Sequence, residues 1–168
     1  MFITKSLRVS LLIALIILNA AALNVENAHA QEEQVAVAPF TQNDVVLATN
    51  KARATKGLPA LTINAELTKA AELKAADMVA NGYFAHFSPT GVTPWHWFDL
   101  AGYNYLNAGE NLASGFNTTS SLMKGWMNSP THKANIMGAQ YTEIGVAFVQ
   151  TERNGKTVWY VVQDFGSK

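Results

Sequence analysis

The strongest constraint lies near the end of the sequence, where Asn154-Gly155 separates two runs rich in β-branched and aromatic residues, Thr142 to Thr151 and Thr157 to Phe165. Asn-Gly is the preferred pair for a two-residue type I′ turn, which needs positive φ at both central positions. A hairpin closed there has a defined register: Arg153 faces Lys156, Val149 faces Tyr160 and Ile144 faces Phe165.

Upstream the period changes to that of helices. A helix capped by Asn43 or Asp44 runs through VVLATNKARATK and stops at Gly57, where Leu58-Pro59 enforces the break. The most regular helix follows an Asn64 cap. In it Leu67, Ala70, Ala71, Met78 and Val79 recur at three- and four-residue spacing, with Lys69, Glu72 and Lys74 on other faces, and Asn81-Gly82 ends it. Thr93-Pro94 opens a short helix that stops at Gly102. Caps among Asn117 to Ser121 start a helix across Leu122, Met123, Trp126 and Met127, and Ser129-Pro130 starts a brief one through THKANIM. Helices first and a hairpin last predict an α+β fold, helices packed on an antiparallel sheet.

The N-terminus reads as an export signal over residues 1–30. Lys5 and Arg8 precede an apolar run from Val9 to Leu18, and Ala28-His29-Ala30 offers small residues at the two positions a signal peptidase reads. A spanning helix needs about 20 apolar residues, and this run is interrupted at Asn19 and ends by Leu23. Cleavage after Ala30 or after Ala22 is therefore expected rather than a stable membrane anchor. Residues 31–41 read as a flexible leader and 42–168 as the folded domain. Removing Lys5, Arg8 and Glu26 from twelve basic and twelve acidic residues leaves ten and eleven. That near-neutral surface gives no electrostatic case for binding nucleic acid or an anionic membrane. The chain has no cysteine, so packing must stabilise it without disulfides.

Four ionisable residues stand out by context: His86 in YFAHFSPTG, Glu110 in NAGENLASG, His132 in NSPTHKANI and Glu143 in YTEIGVAF. Two imidazoles and two carboxylates brought together by the fold have the chemistry either to hold a divalent metal such as zinc or to exchange protons. Their separations of 24, 22 and 11 positions match no local zinc signature, and each alone is more readily an ordinary hydrogen-bonded residue. On a strand, Glu143 shares its face with Gly145 and Ala147. Those small residues either wall a cavity or accommodate a packed helix. His96, between two tryptophans, reads as a packed histidine, and the aromatics of YFAHF, PWHWF and GYNYL read as core. There is no thiol, no G-x-S-x-G elbow and no phosphate loop.

The words LPALTINAELTKAAELKAADM, YFAHFSPTGVTPW, AGYNYLNAGENLASG, WMNSPTHKANIM, YTEIGVAF and VVQDFG occur in that order over nearly all of the chain after residue 43. This pattern resembles the CAP superfamily, or SCP domain, of cysteine-rich secretory, antigen and pathogenesis-related proteins, in its simple bacterial form without disulfides. The resemblance implies a three-layer α-β-α sandwich with a central antiparallel sheet. It also implies a cleft gathering His86, Glu110 and His132, with Glu143, before the strand glycine, in the fourth place. Zinc in that cleft and binding of lipids or sterols are implied by other members of the superfamily.

The expectation is a secreted, monomeric, non-catalytic domain, placed in the medium, periplasm or cell wall. It would bind an extracellular ligand, such as a lipid or sterol, at a metal-capable His/Glu cleft. The alternative is an extracellular hydrolase acting on peptide or cell-wall material through a metal- or Glu/His-activated water.

Overall fold

In the computed structural model, Asn154 and Gly155 adopt φ of 53° and 69°, the double positive φ that a type I′ turn requires. They join β3 (Glu143–Arg153) to β4 (Lys156–Ser167). All three expected facing pairs occur: Arg153 with Lys156, Val149 with Tyr160 and Ile144 with Phe165. The structure describes residues 38–168. The expected signal peptide, its cleavage site and residues 31–37 of the leader lie outside the described residues.

The remaining elements are α1 (Gln42–Ala54), β1 (Thr62–Ile63), α2 (Ala65–Ala80), α3 (Trp95–Leu100), β2 (Asn107–Ser114), α4 (Thr119–Asn128) and α5 (Pro130–Ile136). Asn64 caps α2 by accepting from the Leu67 amide at 3.0 Å. Thr118 is the cap of α4, and Pro130 occupies the first turn of α5. The cap of α1 is neither Asn43 nor Asp44. Thr41 accepts from the Asp44 amide at 3.2 Å, while the Asp44 carboxylate accepts from the Thr41 amide at 2.7 Å. This is a capping box with Asp in the third helical position, and it places the cap two residues before Asn43 and three before Asp44. The leader ends sooner than expected for the same reason: Phe40 is buried in the core and packs edge-on against Phe148.

The sheet order is β1-β3-β4-β2. The three long strands pair antiparallel, but the two-residue β1 adds a parallel edge to β3, so the sheet is mixed rather than purely antiparallel. Helices cover both faces. On one face Ala71, Ala75 and Met78 of α2 meet Leu112, Ala147, Tyr160 and Val162. The packing of Phe98 from α3 with Leu67, Ala70 and Tyr103 extends that layer. On the other face Val45 and Val46 of α1, Leu122 and Trp126 of α4 and Ile136 of α5 enclose Ala113, Ile144, Val161 and Phe165. These are the three layers of an α-β-α sandwich.

Two contacts fix the helices on the sheet. Gly145 lies directly beneath α2, where an added Cβ would collide with the backbone of Leu67 and Thr68. The small residue therefore makes room for a helix. Arg53, fully buried in the last turn of α1, donates to the carbonyls of Pro59 (2.9 Å), Ile136 (2.9 Å), Gly138 (2.8 Å) and Tyr141 (3.3 Å). One guanidinium thus satisfies orphaned carbonyls at the end of α5 and ties two helices to the approach to β3.

Candidate functional site at the edge of the sheet

Because β2 is an edge strand, side chains from both helical layers can meet across it. The alternation of a strand decides where each goes. Glu110 points to the α2 side and Asn111 to the α5 side.

Glu110 is buried, with 2 % of its side chain exposed, and its Oε1 lies 2.6 Å from Nδ1 of His86. His86 belongs to the segment after α2, and its ring is about half exposed. The contact is short and charge-assisted. With Nδ1 engaged by the carboxylate, Nε2 is the ring nitrogen left to act on something else.

His132, in the first turn of α5, is half-buried. Burial lowers its pKa, and the nearby charge of His86 lowers it further. Both effects favour a neutral imidazole near pH 7. Its position is set through a polar chain beneath it. Asn111 Nδ2 donates to the His132 carbonyl (3.2 Å) and to Gln163 Oε1 (3.1 Å), and Gln163 in turn donates to Thr49 of α1 (2.9 Å). Asn135 donates to the Glu110 carbonyl (3.0 Å) and to Asn111 Oδ1 (2.9 Å), pinning α5 to the edge of β2.

A cavity of about 340 Å³ opens here, bounded by His86, Phe87, Trp95, Gly109, Glu110 and Asn135. Its lining combines aromatic Phe87 and Trp95 with polar His86, Glu110 and Asn135, a common composition for a ligand site.

Glu143 lies elsewhere. In the ladder it faces Gly166, which faces Ala108 of β2, so it stands two strands from the edge, roughly 10 Å across the sheet. Its carboxylate accepts from Tyr103 Oη (2.7 Å) and Asn64 Nδ2 (2.9 Å). The Tyr103 hydrogen bond, with smaller help from Asn64 and Lys168, holds its pKa below the usual carboxylate value despite partial burial. Tyr103 packs on Gly166, where a Cβ would strike its ring, and so occupies the space between Glu143 and the cleft. The open side of Glu143 that the sequence allowed is filled by helix and tyrosine.

His86 and Glu110 therefore line the cavity together, whereas His132 is not among its lining residues and is linked to them by its closeness to the charge of His86 and by the Asn111 and Asn135 hydrogen bonds. Among the described residues no group of three or more His, Cys, Asp or Glu side chains is arranged to hold a metal ion. That arrangement does not fit a closed centre of four side chains.

Other expectations divide. His96 is exposed rather than packed, edge-on to Trp97 with ring centroids 4.9 Å apart. The aromatics of PWHWF and GYNYL pack as expected, since Phe98 and Tyr103 are buried against Trp95, Trp97 and Tyr105, but Phe87 of YFAHF is exposed rather than core and lines the cavity instead. Sequence reasoning missed Lys74 and Asp164. Lys74 is fully buried rather than solvated, and its spacing from Ala70, Ala71 and Met78 already put it on the buried stripe of α2. Asp164 faces Glu110 in the ladder and alternates with buried Val162 and Tyr160, a polar break in an apolar strand face.

Similarity to known proteins follows the same outline. The uncharacterized protein YkwD of Bacillus subtilis (strain 168) is 40 % identical over 110 residues, covering 66 % of this chain and 43 % of that protein. The uncharacterized membrane protein YlbC of the same organism is 26 % identical over 106 residues, covering 63 % of this chain and 31 % of that one. The chain thus spans less than half the length of the curated relatives it matches.

Among solved structures, an extracellular protein containing an SCP domain from Bacillus anthracis str. Ames superposes with a TM-score of 0.66 at 28 % identity, over 76 % of this chain and 40 % of that one. An outer surface protein from Borrelia burgdorferi gives a TM-score of 0.66 at 26 % identity, over 77 % of this chain and 96 % of that one. The family model named CAP, cysteine-rich secretory protein family, matches residues 46–165, a span running from α1 into β4 that includes all of His86, Glu110, His132 and Glu143. With that match over most of its length and the α-β-α sandwich beneath it, the chain belongs to the CAP family of cysteine-rich secretory proteins.

Proposed function

We propose that this protein is a secreted binding domain. It captures an extracellular ligand in the β2-edge cleft, with one divalent cation, zinc by donor chemistry, held on His86 and His132. The observation that carries this reading is the 2.6 Å contact between buried Glu110 and His86 Nδ1. A carboxylate behind an imidazole fixes its tautomer and orientation and raises its basicity, as second-sphere partners of metal-bound histidines do. Glu110 is then an orienting group rather than a ligand. The lowered pKa of His132 keeps its lone pair available. A bound cation would supply a Lewis-acidic point for an oxygen-bearing ligand, and the aromatic wall of Phe87 and Trp95 its apolar contact. Secretion accords with the export-signal pattern expected over residues 1–30 and with the extracellular and outer-surface proteins that the chain resembles.

The test is calorimetric zinc titration of the purified protein at pH 7.5 and 5.5, with His86→Ala/His132→Ala alongside. Binding at pH 7.5 that is lost in the double variant and weakened at pH 5.5, below the usual histidine pKa of about 6.5, is expected. No heat and no thermal stabilisation at pH 7.5 would overturn the metal reading. Turnover of a peptide or peptidoglycan library that vanishes in Glu110→Ala would replace binding by hydrolysis.

A second reading concerns the ligand. Between α1 and α4 runs a groove of about 300 Å³ floored by Ala48, Ala52, Met123 and Met127 and flanked by Lys51 and Lys124. An apolar floor beside two ammonium groups suits the chain and carboxylate of a fatty acid. Displacement of a fluorescent fatty acid, abolished in Lys51→Glu/Lys124→Glu, is the expected result. Retention in that variant would place lipid elsewhere.

A further inference from the structure

Lys74 and Asp164 belong to no site described so far, yet they lie beneath the cleft. Lys74 is fully buried in the middle of α2, where a desolvated ammonium is costly unless its protons find acceptors. Two acceptors are the His86 carbonyl at 2.8 Å and Tyr83 Oη at 3.1 Å. The Tyr83 ring also lies 4.8 Å from the ammonium, and its hydroxyl donates onward to Asp77. Glu110, Asp77 and Asp164 are the carboxylates whose charge acts on Lys74. Asp164 is fully buried, faces Glu110 across the β2–β4 ladder and has no hydrogen-bond partner for its carboxylate among the described residues.

The result is a cation held between the sheet and the loop that carries His86. Its shortest hydrogen bond is spent on the backbone of His86 itself. The segment from Tyr83 to Ser88 forms no regular element. Helix or sheet hydrogen bonds therefore do not fix the direction from which His86 approaches Glu110. Lys74 supplies that fixing from below, and its charge lies beside the carboxylate that pairs with His86 Nδ1.

Resting on the cation-holding cleft proposed above, we infer that Lys74 is the positioning residue of that site. Its ammonium anchors the His86 carbonyl from a helix rigidly packed on the sheet, and so holds the His86 Nδ1–H on Glu110. Lys74 touches no ligand, and its effect is exerted through His86. Groups bonded directly to a ligand ring are worth roughly tenfold to a hundredfold in metal affinity, and Lys74, acting one step further out, falls at the lower end of that range.

The experiment pairs zinc calorimetry with nitrogen-15 NMR of the histidine rings in the native protein and in Lys74→Met, which keeps the length and apolar stem but removes the donors. Lys74→Met is expected to fold, to bind zinc at least tenfold more weakly, and to lose the slowly exchanging Nδ1–H signal of His86. A folded variant with an unchanged His86 ring signal overturns the inference, whatever its zinc affinity. If the native protein binds no zinc, the metal reading fails, while the ring signal still decides the role of Lys74. If Lys74→Met does not fold, the native protein decides alone. A protected Lys74 ammonium signal with cross-relaxation to the His86 segment supports the anchor, and its absence overturns it.

Discussion

Replacing Gly145 by alanine adds one methyl group and is expected to be among the most damaging small changes available to this fold. The glycine lies at the crossing of α2 over β3. An alanine Cβ would meet the carbonyl carbon and oxygen of Leu67 and the amide of Thr68, all backbone atoms that cannot rotate away. Ordinary contact can be restored only if α2 retreats by roughly 1 Å, and a gap of that size forfeits a quarter to a half of each contact's attraction. The helix buries Leu67, Ala70, Ala71, Ala75 and Met78 against the sheet and α3, so the loss spreads over the whole layer. Overpacking of this kind costs about 3 kcal/mol. For a domain of this size that corresponds to a fall in melting temperature of about 10 °C. Thermal unfolding followed by circular dichroism, with urea titration to give the free energy, measures it directly. A fall of less than about 2 °C, with an unchanged urea slope, would refute the claim that the backbone of α2 rests on Gly145. The same retreat would draw Lys74 away from the His86 carbonyl, so Gly145→Ala should also disturb the cleft, although it is not part of it.

Two further outcomes are expected. Arg53→Lys should cost about 3 kcal/mol in urea unfolding, because an ammonium cannot reach the four carbonyls that the guanidinium serves and leaves buried acceptors unpaired; a cost below about 1 kcal/mol would contradict that role. Tyr103→Phe removes the donor that lowers the Glu143 pKa. A lowered folded-state pKa adds stability above the usual carboxylate value, near 4.3, and that stability is lost as pH falls through the folded value. The variant should therefore be about 1 kcal/mol less stable at pH 7, and the gap should close in acid. A gap that is constant from pH 7 to pH 2.5 would assign the effect to packing instead.

Local rules make much of the fold legible. The Asn154-Gly155 turn sets the strand register because type I′ geometry admits few residue pairs. The Asn64 cap and the apolar spacing after it locate α2 for equally local reasons. The start of α1 is harder to read, because Asp44 has the chemistry of a cap and serves here as the third residue of a capping box, a role decided by the backbone of Thr41. The mixed character of the sheet also escapes, since two residues of β1 carry no period.

At the site, the family pattern in the sequence points to His86, Glu110, His132 and Glu143 as one cleft. Only the tertiary structure puts the Glu110 carboxylate on His86 Nδ1, because the two residues lie 24 positions apart on different elements. It also decides the fate of Glu143. The small neighbours of that residue permit either a cavity or a helix in sequence, and in three dimensions α2 lies over Gly145 while Tyr103 takes the carboxylate. Lys74 marks the same boundary. Its charge reads as solvent-facing although its spacing from Ala70, Ala71 and Met78 matches the buried stripe, and what makes a buried ammonium tolerable, acceptors from the His86 segment and carboxylates from the sheet, is long-range and exists only once the layers have packed. Turns, caps and periodicity are properties of neighbours in the chain and can be read there. The pairing of charges across layers depends on which surfaces meet, and only the folded protein determines that.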